Sequence, residues 1–89
     1  MHRTTSRFRE YLEKLPDPIQ RTARRRFQLL KENPGHPSLH FKKVGRLWSV
    51  RIGNHFRALA VEHGKDFIWV WIGSHDEYER IILQSSTTK

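Results

Sequence analysis

The chain has 89 residues, 17 Lys and Arg against 9 Asp and Glu, a formal net charge of +8 and no cysteine. This length predicts a single small domain over residues 1–89, and the lack of cysteine excludes disulfides and thiolate zinc sites. The positive charge makes a polyanion such as nucleic acid the expected partner, and acidic proteins and anionic membranes compete with it. The alternative is a solvated helix face without a partner.

The first third of the sequence predicts two antiparallel helices. The apolar side chains of the first helix recur at the spacing of one helix face: Phe8, Tyr11, Leu12 and Leu15. Thr5 or Ser6 is the expected N-cap, and Pro16 is expected to end this helix. The second helix is expected to have Asp17 as its N-cap and to end at Asn33-Pro34-Gly35.

The rest of the sequence predicts strands joined by turns. Alternating or continuous apolar runs indicate strands at 39–42, 48–52, 56–61 and 67–72. The last run is apolar at every position, which predicts a strand covered on both faces, and Trp69 and Trp71 are expected to share one of those faces. Glu77 to Leu83 predicts a final helix. The fold class is therefore α+β: an N-terminal helical hairpin packed on an antiparallel four-stranded sheet, with a short C-terminal helix.

The turn at Gly53-Asn54-His55 decides whether two arginines share a face of the sheet. A two-residue turn would put Arg51 and Arg57 on opposite faces. A three-residue turn would pair Ile52 with Phe56 and put the two arginines side by side. Because Gly and Asn tolerate the positive φ of such a turn, we predict the second arrangement.

A histidine and a tyrosine follow directly after the apolar run. His75 can act as a general acid or base near neutral pH, and Tyr78 lies one helical turn later. With Arg51 and Arg57 they supply what RNA cleavage by the neighbouring 2′-OH requires, namely proton transfer and positive charge for the phosphorane. These four are the predicted catalytic residues. The alternatives are a capping histidine and ordinary solvent-facing strand arginines.

Further residues are expected to bind the RNA backbone. Lys42, Ser49 and Arg51 occupy the polar positions of their predicted strands, where several cations would form a phosphate-binding surface. The predicted RNA-binding residues are Lys42, Lys43, Ser49, His40 and Arg46. The sequence has no paired-histidine metal motif and no Gly-rich phosphate loop, so neither a metal nor a cofactor is expected.

Four segments together resemble the RelE/ParE superfamily of type II toxins. They are Lys42-Lys43, Leu47 to Gly53, Phe56 to Leu59 and Ile72 to Tyr78, and the similarity extends over nearly the whole chain. The resemblance implies a RelE-like fold and a cytoplasmic toxin. RelE-like members cut mRNA on the ribosome through the 2′-OH without metal, whereas ParE-like members poison DNA gyrase. The resemblance also implies an acidic, DNA-binding antitoxin, through which alone operator DNA would be contacted.

The resemblance implies a role for individual residues of this chain. Arg57 matches the arginine that contacts the scissile phosphate, and Arg51 matches a second cation on the preceding strand. His75 falls where RelE has an arginine but where several relatives have a catalytic histidine. Ser49 falls where RelE has a lysine, and Tyr78 lies earlier than the terminal tyrosine of RelE.

The resemblance leaves three functions open. The first is a ribosome-dependent mRNA endonuclease that inhibits translation. The second is a ParE-like inhibitor of DNA gyrase without nuclease activity, and the third is a catalytically degenerate binding module that acts with its antitoxin. Whether the family's first strand is present is also open, because it would have to lie within Met1 to Thr5.

The sequence favours a cytoplasmic protein without a membrane partner. The N-terminal residues lack the apolar stretch of a signal peptide. No apolar run approaches the roughly 18 residues that a membrane-spanning helix needs.

Overall fold

The computed structural model describes residues 1–87, with side chains described for residues 1–84. Within this part of the chain the helices and strands are β1 His2–Thr4, α1 Ser6–Glu13, α2 Asp17–Glu32, β2 Lys42–Val44, β3 Leu47–Ile52, β4 Phe56–His63, β5 Asp66–Ser74 and α3 His75–Thr87. The α+β class is confirmed. None of these helices, as far as they are described, is both long and apolar enough to cross a membrane.

The helical hairpin forms where predicted, with one change at the second helix start. The Oγ1 of Thr5 accepts a hydrogen bond from the backbone N–H of Phe8 at 3.0 Å, so Thr5 is the N-cap of α1. Asp17 is not the N-cap of α2 but lies in its first turn, and Pro16 takes the cap position without a side-chain bond. Pro16 is extended, with ψ of 147°, and the Asp17 carboxylate interacts favourably with the helix dipole instead.

The sheet has five strands rather than the four predicted, in the order β1-β5-β4-β3-β2. The additional strand, β1, runs parallel to β5, with His2 opposite Phe67. Asp66 fixes this edge, since it lies 3.6 Å from the N-terminal ammonium and 3.3 Å from Nε of Arg3. A first strand is therefore present in the segment that the sequence left open, and its three residues are too few to show an alternating pattern.

β2 begins later than predicted. Leu39 ends a short 3₁₀ turn, and His40 follows with a left-handed φ of 46°, so neither residue belongs to a strand. Nδ1 of His36 accepts a hydrogen bond from the backbone N–H of Ser38 at 3.2 Å, which stabilises the turn. Pairing with β3 starts at Lys42.

The sheet separates a main core from a second, more polar face. The main core lies between the sheet and helices α1 and α2, and its buried residues are Phe8, Ala23, Leu30, Leu39, Val50, Ile52, Ala58, Ala60, Trp69 and Ile72. Arg51 and Arg57 alternate with these core residues along β3 and β4 and therefore point to the other face. Leu59 is also buried on that second face.

The two tryptophans of β5 lie on opposite faces, so the prediction that they share one is wrong. Trp69 pairs with Ala60, whereas Trp71 pairs with Leu59, so β5 has one additional residue at this point. Such a bulge shifts the side-chain alternation by one residue. Trp69 consequently packs in the main core, and Trp71 turns to the face of the arginines.

Gly73 lies directly beneath the Trp71 ring. A Cβ atom at position 73 would overlap Cζ2 of Trp71 and lie 3.1 Å from Oε1 of Glu77. We expect Gly73→Ala to lower the free energy of unfolding by about 1–3 kcal/mol, because the ring or the strand must move. Chemical denaturation measures the change.

Gly35→Ala is the matched control for this substitution. A Cβ there would meet its nearest neighbour at 3.9 Å, so stability should change little. If the Trp71 ring is the obstacle, Trp71→Leu should remove much of the cost of Gly73→Ala. Strictly additive effects in the double variant would contradict the overlap.

β1 contains a histidine that is held in its neutral form. Nε1 of Trp69 donates a hydrogen bond to Nδ1 of His2 at 3.0 Å, and the His2 ring stacks on Phe67. Burial lowers the pKa of His2 below its ordinary 6.5, and the charges of the N-terminal ammonium and Lys31 lower it further. The unfolded chain therefore takes up the proton first, and the associated stability is present above about pH 6.5 and is lost as the pH falls toward the folded pKa.

We expect His2→Asn to weaken this pH dependence. The Asn side-chain oxygen can accept the Trp69 hydrogen bond but does not titrate near neutral pH. Between about pH 7 and pH 5 the wild-type protein should lose more unfolding free energy than the variant. Denaturation curves across this range measure both slopes, and identical slopes would contradict the role of His2.

Candidate active site

The β3–β4 hairpin places two arginines opposite each other on the second face of the sheet. Ile52 pairs with Phe56 and Arg51 with Arg57, which confirms the predicted three-residue turn. Gly53 has a φ of 66°, a left-handed conformation that glycine adopts at little cost. Like charges directly opposite on a sheet repel, so this arrangement is typical of a surface that binds an anion.

Arg51 is held rigidly by the turn that follows it. Its Nε donates to the carbonyl oxygen of Gly53 at 2.9 Å, and one terminal nitrogen donates to Oδ1 of Asn54 at 2.9 Å. The other terminal nitrogen lies 3.4 Å from Nε2 of His40. A guanidinium fixed in this way needs little reorganisation to bind a ligand.

Arg57 lies between Arg51 and the final helix, α3. It donates to the carbonyl oxygen of Phe56 at 3.0 Å, and its guanidinium carbon lies 5.8 Å from the centre of the Tyr78 ring. Burial, followed by the charge of Arg51, lowers the pKa of Arg57 below its ordinary value, while Tyr78 acts in the opposite direction. Arginine nevertheless stays protonated at neutral pH, so this is a partly desolvated cation without a carboxylate partner among the described residues.

α3 begins at His75, earlier than the predicted start at Glu77. Ser74 and Glu77 cap each other: the Ser74 Oγ accepts from the Glu77 backbone N–H at 3.2 Å and donates to Oε1 of Glu77 at 3.1 Å. The backbone N–H of His75 also donates to the carbonyl oxygen of His55 at 2.8 Å, which joins α3 to the β3–β4 turn. The Ser-x-x-Glu spacing is the sequence signal that could have located this start.

His75 and Tyr78 complete a continuous group with the arginines. Their ring centres are 5.7 Å apart, so the order in space is Arg51, Arg57, Tyr78, His75; we call these four residues the central site. Nδ1 of His75 lies 3.5 Å from Oε1 of Glu79. Glu79 was missed in the sequence, although its i+4 spacing from His75 places it one helical turn away. A carboxylate at this position can accept from Nδ1 of the imidazole, which would leave Nε2 for another partner.

The other predicted residues on this face differ in exposure. Lys42 pairs with Ser49 and is exposed, on the same face of the sheet as Arg51. Ser49 is only 2% exposed, so its hydroxyl is not presented to a ligand. His40 is not on a strand as predicted, but its side chain reaches Arg51 from the preceding loop.

Two predicted RNA-binding residues lie away from the central site. Lys43 pairs with Trp48, which packs with the main core, so Lys43 points to the opposite side of the sheet from Arg51. Arg46 lies in the turn before β3, at the far end of that strand from Arg51. The structure therefore brings together the four predicted catalytic residues, with Lys42 and His40, but not Lys43 or Arg46.

The arrangement combines anion binding with proton transfer. Two fixed guanidinium groups can hold a phosphodiester, and an imidazole with one nitrogen available can donate or accept a proton beside it. Within the described residues no group of three or more His, Asp or Glu is arranged to hold a metal ion.

The chain matches a known protein family. A family model described as a ParE-like toxin domain matches residues 17–80, well over half of the chain and including the whole central site. No curated protein sequence matches the chain closely enough to count as a relative.

Solved structures of toxins have the same fold. The RelB–RelE antitoxin–toxin complex from Methanococcus jannaschii matches with a TM-score of 0.69 and 14% identity, covering 89% of this chain and 96% of that one. The RelBE2 complex from Mycobacterium tuberculosis matches at 0.63 and 19% identity, covering 84% and 96%. The isolated Escherichia coli RelE toxin matches at 0.61 and 9% identity, covering 94% and 96%.

Proposed function

The chain belongs to the ParE-like toxin domain family of the RelE/ParE superfamily. We propose that it is a toxin that cleaves mRNA on the ribosome. The observation that carries the proposal is the central site. In this site the His75 ring lies beside the Tyr78 ring, and the Tyr78 ring lies beside Arg57. Arg57 in turn pairs with Arg51 on the adjacent strand. Gyrase inhibition through surface contact would not require such a grouping of proton-transfer and phosphate-binding side chains.

The proposed reaction is attack of a ribose 2′-OH on the adjacent phosphorus. The O2′–P bond forms and the P–O5′ bond breaks, giving a 2′,3′-cyclic phosphate and a free 5′-OH. One proton leaves the 2′-OH and one reaches the 5′ oxygen, so a group that titrates near neutral pH accelerates the step. His75 exchanges one of these protons through Nε2, and Glu79 keeps Nδ1 of the ring turned away from the RNA.

The arginines act on the charge that develops during this attack. The phosphorane carries more negative charge than the starting diester, and preformed donors stabilise that charge without having to reorganise. Arg51 is already fixed by its bonds to Gly53 and Asn54, and Arg57 is partly desolvated beside Tyr78. Lys42 and His40 lie where they can contact phosphates next to the scissile one.

The proposed partner that restrains the toxin is an acidic antitoxin. Two of the similar structures are described as antitoxin–toxin complexes. With a net charge of +8, this chain would attract an Asp- and Glu-rich segment, and binding should weaken as salt screens the surface charges. Operator DNA would then be contacted through the antitoxin complex.

A second candidate function is inhibition of DNA gyrase. The description of the matching family model, which is ParE-like, favours it. Under this alternative the same basic surface would contact a protein, and the central site would have no chemical role. The degenerate binding module is the remaining alternative, and the burial of Ser49 where RelE has a lysine favours it.

One induction experiment separates these functions. Wild-type protein is expressed in cells, the 5′ ends of mRNA are mapped, and plasmid supercoiling is measured in the same cultures. The proposal predicts growth arrest with cuts at fixed codon positions in translated messages and normal supercoiling. Relaxed plasmid with intact mRNA would instead identify a gyrase inhibitor, and normal growth with neither effect would identify a degenerate module.

A further inference from the structure

A second cationic cleft lies on the other side of the β3–β4 turn. Its lining residues come from one face of α2 and from the turn: Thr22, Arg25, Arg26, Leu29, Gly53 and Asn54. The four helical residues have the i, i+3, i+4, i+7 spacing of one helix face. A Cβ at position 53 would lie 3.9 Å from Cγ2 of Thr22, an ordinary contact distance, so the turn packs directly beside the helix at this cleft.

No carboxylate among the described residues pairs with the arginines of this cleft. In the described part of the chain the salt bridges involve only Asp66 and Glu79, which lie on other elements. Arg26 donates to the Ser38 hydroxyl at 2.7 Å, a neutral contact that fixes its position but leaves its charge uncompensated. Arg25 is exposed and makes only a long contact, 3.5 Å, to Thr22. Guanidinium groups in this state are suited to phosphate oxygens.

The cleft is continuous with the central site through one residue. Asn54 lines the cleft, and its Oδ1 accepts a hydrogen bond from Arg51 at 2.9 Å. Because that oxygen is directed at Arg51, the –NH₂ group of the same side chain is the part left to donate. The turn is therefore a narrow ridge with two arginines on each side: Arg51 and Arg57 on one side, Arg25 and Arg26 on the other.

We propose that this cleft is a second phosphate-binding subsite, which holds the backbone of an RNA strand that crosses the turn from the central site. The inference rests on the proposed function, because it places a further part of the same RNA. A chain of phosphates matches the repeated, unpaired arginines, and backbone contacts of this kind position RNA without reading its sequence.

The test compares two double substitutions that remove the same charge from the same helix. Arg25→Gln with Arg26→Gln removes both positive charges from the cleft. Arg24→Gln with Lys31→Gln is the control, because these two residues line the groove between α1 and α2 instead. The probe is a short 2′-O-methyl oligoribonucleotide, which cannot be cleaved through its 2′ position, and its binding is followed by fluorescence anisotropy at several salt concentrations.

The cleft variant should bind this probe about tenfold more weakly than the control, with the slope of log affinity against log salt reduced by up to about 1.4. Arg25→Lys with Arg26→Lys should recover most of the slope, since it keeps the charge. Single Arg25→Gln, at an exposed position, should show part of the loss and covers the case in which Arg26 is needed for folding. Equal affinities of the cleft and control variants would overturn the proposal.

Two further measurements test whether the cleft binds an acidic protein instead of RNA, and whether RNA binding in the cleft holds independently of the proposed cleavage. If poly-glutamate binding falls at least as much as RNA binding in the cleft variant, the cleft holds an acidic protein segment and the RNA subsite is wrong. If wild-type protein cuts no mRNA in cells but the cleft variant loses affinity for the probe, the subsite stands and the proposed nuclease function falls.

Discussion

Replacement of His75 by alanine should reduce mRNA cleavage by about 10²–10⁴-fold while leaving the fold intact. The loss follows from removing the group that exchanges a proton with the 2′-OH or the 5′ oxygen. The start of α3 should persist, because Ser74 and Glu77 cap each other and the bond from position 75 to His55 is made by the backbone. Cleavage of a model mRNA on purified ribosomes measures the effect.

The control for this substitution is His63→Ala. His63 is exposed at the end of β4, so its removal should change neither cleavage nor stability. His75→Gln should be as inactive as His75→Ala, because the amide does not titrate near neutral pH. Full cleavage activity in the His75→Ala or the His75→Gln variant would contradict the assignment of His75 as the acid–base group.

Glu79 and Tyr78 help to define what His75 does. If Glu79 positions the imidazole, Glu79→Ala should lower the rate of cleavage more than Glu79→Gln does, since the amide oxygen can still accept from Nδ1. Tyr78→Phe keeps the ring that contacts Arg57 and removes only the hydroxyl. A small effect would make Tyr78 a support for Arg57, whereas a large effect would make its hydroxyl part of the chemistry.

Arg57→Gln is expected to lower cleavage by about 10²–10³-fold without lowering stability. Arg57 is placed to stabilise the charge that forms on the phosphorane. In the folded protein, however, it faces a like charge on Arg51 and is partly desolvated. Removing one of two opposed cations should therefore leave the free energy of unfolding unchanged or raise it by about 0.2–1 kcal/mol.

Opposite changes in activity and stability distinguish a site residue from a structural one. A packing or solubility role for Arg57 would give a loss of stability with no specific loss of cleavage. Arg57→Lys provides a finer comparison, because it keeps the charge but loses the planar guanidinium over the Tyr78 ring. It should recover only part of the activity. Arg46→Gln, at the far end of β3, is the matched control for charge and should cleave normally.

Local chemistry in the sequence was sufficient to predict most of the elements. The Thr5 cap and the proline-glycine stop after α2 define the helical hairpin, and the alternation in β3 and β4 defines their strands. Glycine and asparagine at the turn were enough to predict its three-residue length and hence the pairing of Arg51 with Arg57. Each of these signals lies within a few residues of the feature that it specifies.

Other features were not predictable because they depend on contacts between distant segments. β1 forms because residues 2–4 pair with the edge of β5, and three residues are too few to show an alternating apolar pattern of their own. The bulge at Leu59 and Ala60, which separates the faces of Trp69 and Trp71, is a mismatch between two strands and is not visible in either one. The burial of Ser49 likewise depends on what packs over its face of the sheet.

The fold class, the hairpin register and the identity of the four residues in the central site could all be predicted from the amino-acid sequence. Their order in space, with Tyr78 between Arg57 and His75, and the cations that join them follow from the packing of α3 and β2 against the sheet. In the sequence Lys43 and Arg46 look equivalent to Lys42. In the structure the pleat of β2 directs Lys43 to the opposite side of the sheet from Arg51, and the length of β3 separates Arg46 from Arg51. The cleft at Arg25 and Arg26 was hidden for the same reason: a helix and a turn more than twenty residues apart had to meet before their charges formed one surface.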